Sequence, residues 1–294
     1  MKLFQGSTVF LKCRFILQVN LKVPGMHQIL SILDQVNLPS RDDQTRFVDT
    51  TRLDGIAKCL GDGGAPWALR FSGPLFRIYG RSGVQPVPDP VVISSHADSN
   101  YGVHQHGQVE GTQELLGTFD NSITNAVLVG LMLEDRLPPG CLVAFTGDEE
   151  NDSEGAAGVM ACLRGEGMEP RAVIVLDITD DRHYGHPCTL ENYFAKHRGA
   201  LPATEEGFLE CLQAALEARI PHVHHDDAWP DESWRYEEED VPVFSLCVPT
   251  RPARPGHPGD GWMHLDEGVR VRADLIPEYG NSLARLCQHL LQPR

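Results

Sequence analysis

Short apolar runs alternate with amphipathic stretches along the last two thirds of the chain. Four runs are continuously apolar and bounded by polar or turn-forming residues, which is typical of strands buried on both faces. They cover Val91–Ser95, Cys141–Phe145, Ala172–Leu176 and Val241–Val248. Helical spacing of apolar positions marks Phe119–Leu133, Gly155–Arg164, Glu205–Arg219 and Leu275–Leu291. Strands that alternate with helices predict an α/β fold with a mixed, mostly parallel central sheet flanked by helices.

The first 89 residues carry weaker signals. Partial alternation, helical spacing and a Gly-Pro turn predict further elements there. These are a strand at Phe15–Val23, helices at Met26–Val36 and Asp49–Leu60, and a hairpin within Trp67–Arg81. No internal repeat or shift of composition marks a boundary, so we expect one domain over residues 1–294. Residues 1–89 would supply helices and a hairpin, and residues 90–294 the functional core.

Composition and charge exclude several classes of protein. The chain carries 25 Lys and Arg against 41 Asp and Glu, a formal net charge of −16, whereas a nucleic-acid partner requires a basic surface. No run approaches the roughly 20 apolar residues that span a bilayer, so we expect no membrane partner. The eight cysteines are scattered and form no C-x-x-C pair. Together with the lack of a recognisable secretory signal, they predict reduced thiols in a cytoplasmic protein.

Ionisable side chains follow three of the four predicted strands. Because open α/β sheets place their sites at the carboxyl ends of strands, we expect these side chains to meet at one edge of the sheet. A further carboxylate begins the helix after the first of these strands, and an imidazole lies shortly before the closing helix. In chain order the set is His96, Asp120, Glu149-Glu150, Asp177 and His264.

Imidazoles mixed with carboxylates are ligands that suit Zn²⁺, Mn²⁺ or Co²⁺. A carboxylate shared between two ligand groups would hold two ions about 3.5–4 Å apart, an arrangement used for hydrolysis. Asp98, two residues after His96, is placed to hold the imidazole N–H of His96. Glu149 and Glu150 are adjacent, so one can bind metal while the other remains a base.

Five segments, in their order along the chain, resemble the zinc exopeptidase clan that includes peptidase families M28, M42 and M20. The segments are SSHADS, GTFDNSITNA, VAFTGDEE, VIVLD and MHLDE. They match the order H-x-D, D-N, E-E, D and H that is typical of the clan, over the stretch from Pro90 to the C-terminus. The resemblance implies a zinc-exopeptidase fold and a co-catalytic, dinuclear metallohydrolase.

The resemblance also implies a role for each matching residue. The implied metal ligands are His96 and Asp177 at one ion, Glu150 and His264 at the other, and Asp120 as the bridge. His257 is the alternative to His264. Some families of the clan carry an inserted domain, but the intervals from His96 to Asp120 and from Asp177 to His264 leave little room for one. We therefore expect no separate lid domain.

Two further residues receive implied roles in the reaction. Glu149 would be the general base that takes a proton from the attacking water, and Asp98 would orient His96. The peptide bond after Asp120 is often cis in this clan, so the same is expected here. Asp231–Trp234, which precedes the last predicted strand, fits a pocket wall and a surface loop equally well.

Three functions remain open at this stage. The first is an aminopeptidase that releases N-terminal residues from peptides with two divalent ions, zinc first, manganese or cobalt as alternatives. The second is a deacylase or carboxypeptidase-like enzyme acting on N-acyl amino acids, which requires a basic group for the substrate carboxylate. The third is an inactive scaffold. Relatives range from monomers to large shells, so oligomerisation stays open. Candidates for the basic group are Arg182, Arg235, Arg251 and Arg254.

Overall fold

The computed structural model describes residues 26–40, 45–192, 202–225, 230–254, 256 and 263–292. The predicted strand at Phe15–Val23 and the alternative ligand His257 lie outside the described residues. Among the residues described, no helix reaches the length and apolarity that a bilayer span requires.

The strands of the described residues divide between a large sheet and a small one. In chain order they are β1 (Trp67–Gly73), β2 (Phe76–Arg81), β3 (Val91–His96), β4 (His106–Gln108), β5 (Glu114–Gly117), β6 (Cys141–Thr146), β7 (Ala172–Thr179), β8 (Thr189–Glu191), β9 (Val223–His225), β10 (Val243–Pro249), β11 (Arg251–Pro252) and β12 (Val269–Arg272). The helices are α1 (Met26–Val36), α2 (Thr51–Asp62), α3 (Ser122–Leu133), α4 (Glu154–Gly165), α5 (Pro202–Glu217), α6 (Ser233–Glu238) and α7 (Ile276–Leu290).

The large sheet has the strand order β1-β2-β6-β3-β7-β10-β8-β9. Its centre, β6-β3-β7-β10, is parallel throughout, and antiparallel neighbours flank this centre on both sides. These central strands are the four that the sequence predicted, and every residue in them is buried. The predicted α/β class with a mixed, mostly parallel sheet is therefore confirmed.

Apolar clusters cover both faces of the large sheet. One cluster packs α1, α2, α3, α5 and α7 against the sheet, and the other packs α4 and α6. Helix α3 is buried on all sides from Ser122 to Met132, which explains its nearly uniform apolar sequence. The helices of the first 89 residues thus cover the same face as α3 and α7, and α1 packs directly against α3.

The small sheet, with strand order β11-β12-β5-β4, is a feature that the sequence analysis missed. Its central pair is antiparallel, and Val269 of β12 lies opposite Gly117 of β5. Gly117 precedes Asp120 by three residues, and Val269 follows His264 by five. Pairing of β5 with β12 therefore brings Asp120 and His264 toward the same edge of the molecule.

Gly268 makes this pairing geometrically feasible. Its φ is +76°, a conformation that favours glycine. A Cβ atom at this position would lie 2.3 Å from the carbonyl oxygen of Gly117, closer than any real contact. Only glycine therefore allows the chain to turn from the His264 segment into β12 at this close approach.

Candidate metal centre

His96 is the last residue of β3 and is 1 % exposed. Its Nδ1 atom lies 3.2 Å from Oδ1 of Asp98, and its Nε2 atom lies 3.0 Å from Oδ1 of Asp120. One ring nitrogen thus faces a supporting carboxylate, and the other faces the carboxylates at the sheet edge. This is the orientation of an imidazole that binds metal through Nε2.

The structure brings the five candidate ligands together in two groups that share one residue. Within each group, the ligand atoms lie within 4.8 Å of one another. The first group is His96, Asp120 and Asp177, and the second is Asp120, Glu150 and His264. These are the two sets that the motif resemblance implied.

The shared residue, Asp120, presents a different oxygen to each group. Oδ1 lies 3.0 Å from Nε2 of His96, and Oδ2 lies 3.2 Å from Nε2 of His264. Asp177 and Glu150 complete the groups, with carboxylate oxygens 3.7 Å and 4.0 Å from Nε2 of His96 and His264 respectively. A carboxylate placed in this way can bridge two cations.

Glu149 lies beside the first group without belonging to it. Its Oε2 atom is 3.9 Å from Nε2 of His96, and its side chain is largely buried. Its neighbour Glu150 belongs to the second group. The two adjacent acids therefore occupy different places relative to the ligand groups.

Burial makes the carboxylates of the centre costly to ionise. It raises the pKa of Glu149 well above its usual value, that of Glu150 to about 8 and that of Asp177 to about 7. Neighbouring carboxylates add to each increase through repulsion between like charges. Divalent cations among these buried acids would relieve the repulsion between them. The donor set therefore fits a metal centre.

Contacts between Asp120 and the two imidazoles shift the pKa of each group in the direction opposite to the effect of burial. Burial alone would raise the pKa of Asp120, but hydrogen bonds with His264 and His96 outweigh it and hold the pKa below its usual range. The contact with Asp120 raises the pKa of His264 to about 9. Burial would lower the pKa of His96, but the surrounding carboxylates raise it well above its usual value. The carboxylates thus favour the charged form of both imidazoles.

Asparagines in and just before α3 fix its start against the sheet. The Asp120–Asn121 peptide bond is cis, as the resemblance implied. The side-chain amide of Asn121 donates to the carbonyl of Leu176 in β7 at 2.5 Å, and that of Asn125 donates to the carbonyl of His96 at 2.7 Å. These bonds tie Asp120 to the two strands that carry the other members of its first group.

The structure refines the positions expected for two candidates. Asp177 was expected to follow its strand, but β7 continues through it to Thr179. Asp120 was expected at the start of a helix from Phe119, but that helix begins at Ser122, because Asp120 and Asn121 form the turn that precedes it. Both candidates nevertheless reach the carboxyl edge of the sheet, where the sequence placed them.

Arg52 is a supporting residue that the sequence analysis missed. It lies in α2, is 4 % exposed and donates to the backbone carbonyls of Asp98 and Asp120 at 3.3 Å and 3.4 Å. Burial lowers its pKa to about 10, although Asp98 and Asp120 oppose the change. A single arginine in an amphipathic helix gives no sequence signal that distinguishes it from a solvent-exposed one.

Two further buried acids lie just before α6. Asp231 and Glu232 are 6 % and 0 % exposed, so the surface-loop interpretation of this segment is wrong for both. Glu232 accepts hydrogen bonds from Oγ of Ser94 and Oγ1 of Thr146, both at 2.6 Å. It thereby links β3 to β6 near the end of β3, which carries His96, and before the turn that carries Glu149.

The four arginines offered by the sequence as anchors for a substrate carboxylate are all engaged with acids of the chain itself. The pairs are Arg182 with Asp180, Arg235 with Glu154, Arg251 with Glu114 and Arg254 with Glu267. Each of these guanidinium groups therefore already has an acidic partner within the chain.

Solved structures share this fold at low sequence identity. An aminopeptidase from the archaeon Desulfurococcus kamchatkensis gives a TM-score of 0.63 at 12% identity, over 90% of this chain and 97% of that one. The TET1 peptidase of Pyrococcus horikoshii, described as able to assemble into a tetrahedron or a large octahedral shell, gives 0.63 at 10%, over 90% and 99%. An endoglucanase from Thermotoga maritima gives 0.55 at 14%, over 88% and 99%.

Sequence comparison alone finds no such likeness. No family model matches the chain, and no curated protein matches it either. The fold expected from the five short motifs is shared with these structures.

Proposed function

We propose that this chain is a dinuclear metal-dependent hydrolase of peptide bonds, and specifically an aminopeptidase that releases N-terminal residues. The observation that carries the proposal is the position of Asp120, whose two oxygens face two different imidazoles at 3.0 Å and 3.2 Å. A lone buried acid needs only one partner, whereas a bridging ligand needs this two-sided arrangement.

In this proposal His96 and Asp177 hold one divalent cation, Glu150 and His264 hold the other, and Asp120 holds both. Zinc is the first choice, with manganese or cobalt as alternatives, because all three accept imidazole and carboxylate ligands. When bound, the cations supply Lewis-acid chemistry that polarises the scissile carbonyl and activates water. The Asp98 carboxylate holds Nδ1 of His96 at 3.2 Å and keeps Nε2 directed at the centre.

Glu149 acts as the general base. It lies next to the ligand groups but outside both, so its carboxylate is available to accept a proton from the attacking water. It then returns the proton to the leaving amine, which departs as a neutral group. Burial raises the pKa of Glu149, and a carboxylate with a raised pKa is a stronger base than an exposed one.

The charge of the site favours a substrate with a free α-amino group. Four buried or partly buried carboxylates, Asp120, Glu149, Glu150 and Asp177, converge on this edge of the sheet. Three of these are proposed ligands whose charge the cations would offset, so the remaining acid, Glu149, together with the net charge of −16 on the chain, is what favours a cationic N-terminus. This supports an aminopeptidase over an enzyme that binds a free carboxylate.

One observation favours a second candidate, a deacylase or carboxypeptidase-like enzyme acting on N-acyl amino acids. Arg46 donates to Oδ1 of Asn100 at 3.1 Å, and the amide of Asn100 donates to Oε2 of Glu150 at 2.9 Å. The guanidinium of Arg46 is thus separated from the candidate ligand Glu150 by a single intervening side chain, that of Asn100. At this position it could hold a substrate carboxylate.

A substrate panel separates these functions. Aminoacyl-anilides and N-acyl amino acids are assayed with the metal-loaded protein, and bound metal is counted by mass spectrometry. We expect hydrolysis of the anilides and two ions per chain. Hydrolysis confined to N-acyl amino acids, and lost in Arg46→Ala, would establish the second candidate instead. Fewer than one ion per chain without turnover would restore the scaffold interpretation.

The remaining parts of the proposal concern the whole protein. We place residues 1–294 in a single catalytic domain without a lid domain, and the protein in the cytoplasm. The described cysteines are free thiols, which supports a reducing compartment. A similar structure assembles into a tetrahedron or an octahedral shell, so light scattering should test this chain for self-association.

A further inference from the structure

We infer that residues 100–103, here called the clamp loop, position Glu150 and His264 and thereby set the affinity of one of the two ion sites. The loop follows β3 and contacts both segments that supply these ligands. The inference rests on the proposed dinuclear centre and adds to it positioning residues that control one ion selectively.

The first contact orients Glu150. The backbone N–H of Asn100 donates to Oε1 of Glu150 at 3.0 Å, and its side-chain amide donates to Oε2 at 2.9 Å. The N–H of Glu150 in turn donates to Oδ2 of Asp98 at 3.1 Å. Donors to both carboxylate oxygens fix the plane of the ligand and limit its rotation.

The second contact anchors the chain segment that carries His264. Tyr101 is 3 % exposed, and its hydroxyl donates to the carbonyl of Met263, the residue directly before His264. Because the bond is to the backbone, it fixes the position of the chain at the point where the His264 side chain leaves it. Tyr101 thus acts on His264 without contacting any ion.

The third contact holds the other end of the same segment. The N–H groups of Gly102 and Val103 donate to Oδ1 of Asp266 at 2.9 Å and 3.2 Å. Just beyond the loop, the amide of Gln105 donates to the carbonyl of Asp266 at 2.8 Å. His264 therefore lies between two anchor points, Met263 and Asp266, both held by one short stretch of chain.

These anchors matter because His264 differs from the other ligands. Its side chain is 44 % exposed, whereas those of His96 and Asp177, which lie within central strands, are 1 % and 12 % exposed. Packing within the sheet fixes the latter two, but the position of His264 depends on hydrogen bonds to its turn. Loss of the clamp should therefore weaken the Glu150 and His264 site and spare the His96 and Asp177 site.

The test measures the two ion affinities separately. Tyr101→Phe removes one hydroxyl and keeps the ring, and Asp266→Ala removes the acceptor of two N–H groups. Zn²⁺ affinities come from competition with a chromogenic chelator, and anomalous diffraction at limiting metal identifies which site is filled. We expect the affinity at the Glu150 and His264 site to fall about 10- to 100-fold in each variant, the range for residues that support a metal ligand. The other site should change less than twofold.

Two further variants exclude a general structural effect. Tyr279→Phe is the matched control, because the hydroxyl of Tyr279 is also buried and donates to a backbone carbonyl, that of Leu246 at 2.9 Å. It should leave the affinity at the Glu150 and His264 site unchanged. Asp266→Asn keeps one acceptor oxygen and should restore part of the affinity lost in Asp266→Ala.

The outcomes separate this inference from the proposed function. If the unaltered protein binds two ions and both clamp variants leave the two affinities unchanged, or weaken them equally, the role of the loop is overturned alone. If the unaltered protein binds fewer than two ions, the proposed function and the role of the loop fall together. Should Tyr101→Phe fail to fold, Asp266→Ala decides, because Asp266 is exposed and its loss leaves the core intact.

Discussion

Glu149 and Glu150 are adjacent in sequence, yet the structure gives them different surroundings. Glu150 belongs to a ligand group, whereas Glu149 lies 3.9 Å from His96 and outside both groups. Both residues lie in the turn that follows β6, so a single turn can supply both a candidate ligand and a candidate base. The division of labour between them is open to direct test.

Glu149→Gln should retain both ions and lose turnover by about 100- to 10,000-fold, because an amide has nearly the same shape but cannot accept the proton. Single-turnover rates and metal counts are measured on the same preparation. Glu154→Gln is the control, since Glu154 is an exposed acid a few residues further along that pairs with Arg235. A Glu149→Gln variant with unchanged turnover would remove Glu149 from the proposed mechanism.

Arg52 has a structural role that can be separated from metal binding. Its guanidinium donates to the backbone carbonyls of Leu38, Asp98 and Asp120. It also donates to the side-chain oxygen of Asn37. Arg52→Met should lower the free energy of unfolding by about 3 kcal/mol, because buried acceptors lose a charged donor. Arg52→Lys should recover only part of this, since an ammonium cannot reach all these acceptors at once. Urea unfolding of the metal-free protein gives both values, and equal stability of all three proteins would contradict the role.

At the scale of secondary structure, the turn into β12 limits which residues the chain tolerates. Gly268→Ala combines a positive φ with a Cβ that would lie 2.3 Å from the carbonyl oxygen of Gly117. Gly83 has a similar φ, +73°, but open space around its Cβ position. Gly83→Ala should therefore cost about 1 kcal/mol from backbone conformation alone. Gly268→Ala should cost on the order of 1–3 kcal/mol more, from the added crowding. Thermal unfolding of the two variants compares them, and equal destabilisation would show that the turn relaxes.

The central strands could be predicted because both of their faces are covered. Burial on both sides leaves an uninterrupted apolar run, as in Val91–Ile93 of β3 and Val173–Leu176 of β7. The candidate ligands could be predicted for a related reason, since a polar residue at the end of such a run stands out and the parallel sheet gathers these ends at one edge.

The small sheet and the supporting residues could not be predicted as readily. Strands β4 and β11 have three and two residues, too few for any periodicity to be visible. In β12 the sequence Val269-Arg270-Val271-Arg272 does alternate, so this signal was present and overlooked. The burial of Arg52 and the contact of Tyr101 with Met263 depend on segments far apart in the chain. No local pattern carries such information.

At the scale of the whole molecule, the ions should contribute to stability because they bind the folded chain and not the unfolded one. Each site contributes about 2.7 kcal/mol when the free ion concentration is 100 times its dissociation constant. Chelation should therefore lower the thermal midpoint by on the order of 5 °C or more, and added Zn²⁺ should restore it. Differential scanning calorimetry measures the change.

The control for this experiment is Asp120→Asn, which keeps the shape of the bridge but removes its charge. Its thermal midpoint should respond weakly to both chelator and zinc, because the altered residue belongs to both ligand groups. A midpoint of the unaltered protein that is insensitive to chelation would argue that the acids fold without cations.

Arg52 also bears on how far the protein can be trimmed. All seven motif residues lie beyond position 90, so a shortened polypeptide of residues 90–294 would retain every one of them. It would nevertheless lose the guanidinium that holds the carbonyls of Asp98 and Asp120, together with the hairpin whose second strand pairs with β6. The motifs alone are therefore not sufficient to form the centre. Any transplant of this centre into another scaffold has to carry along a helix that contributes nothing to the chemistry itself.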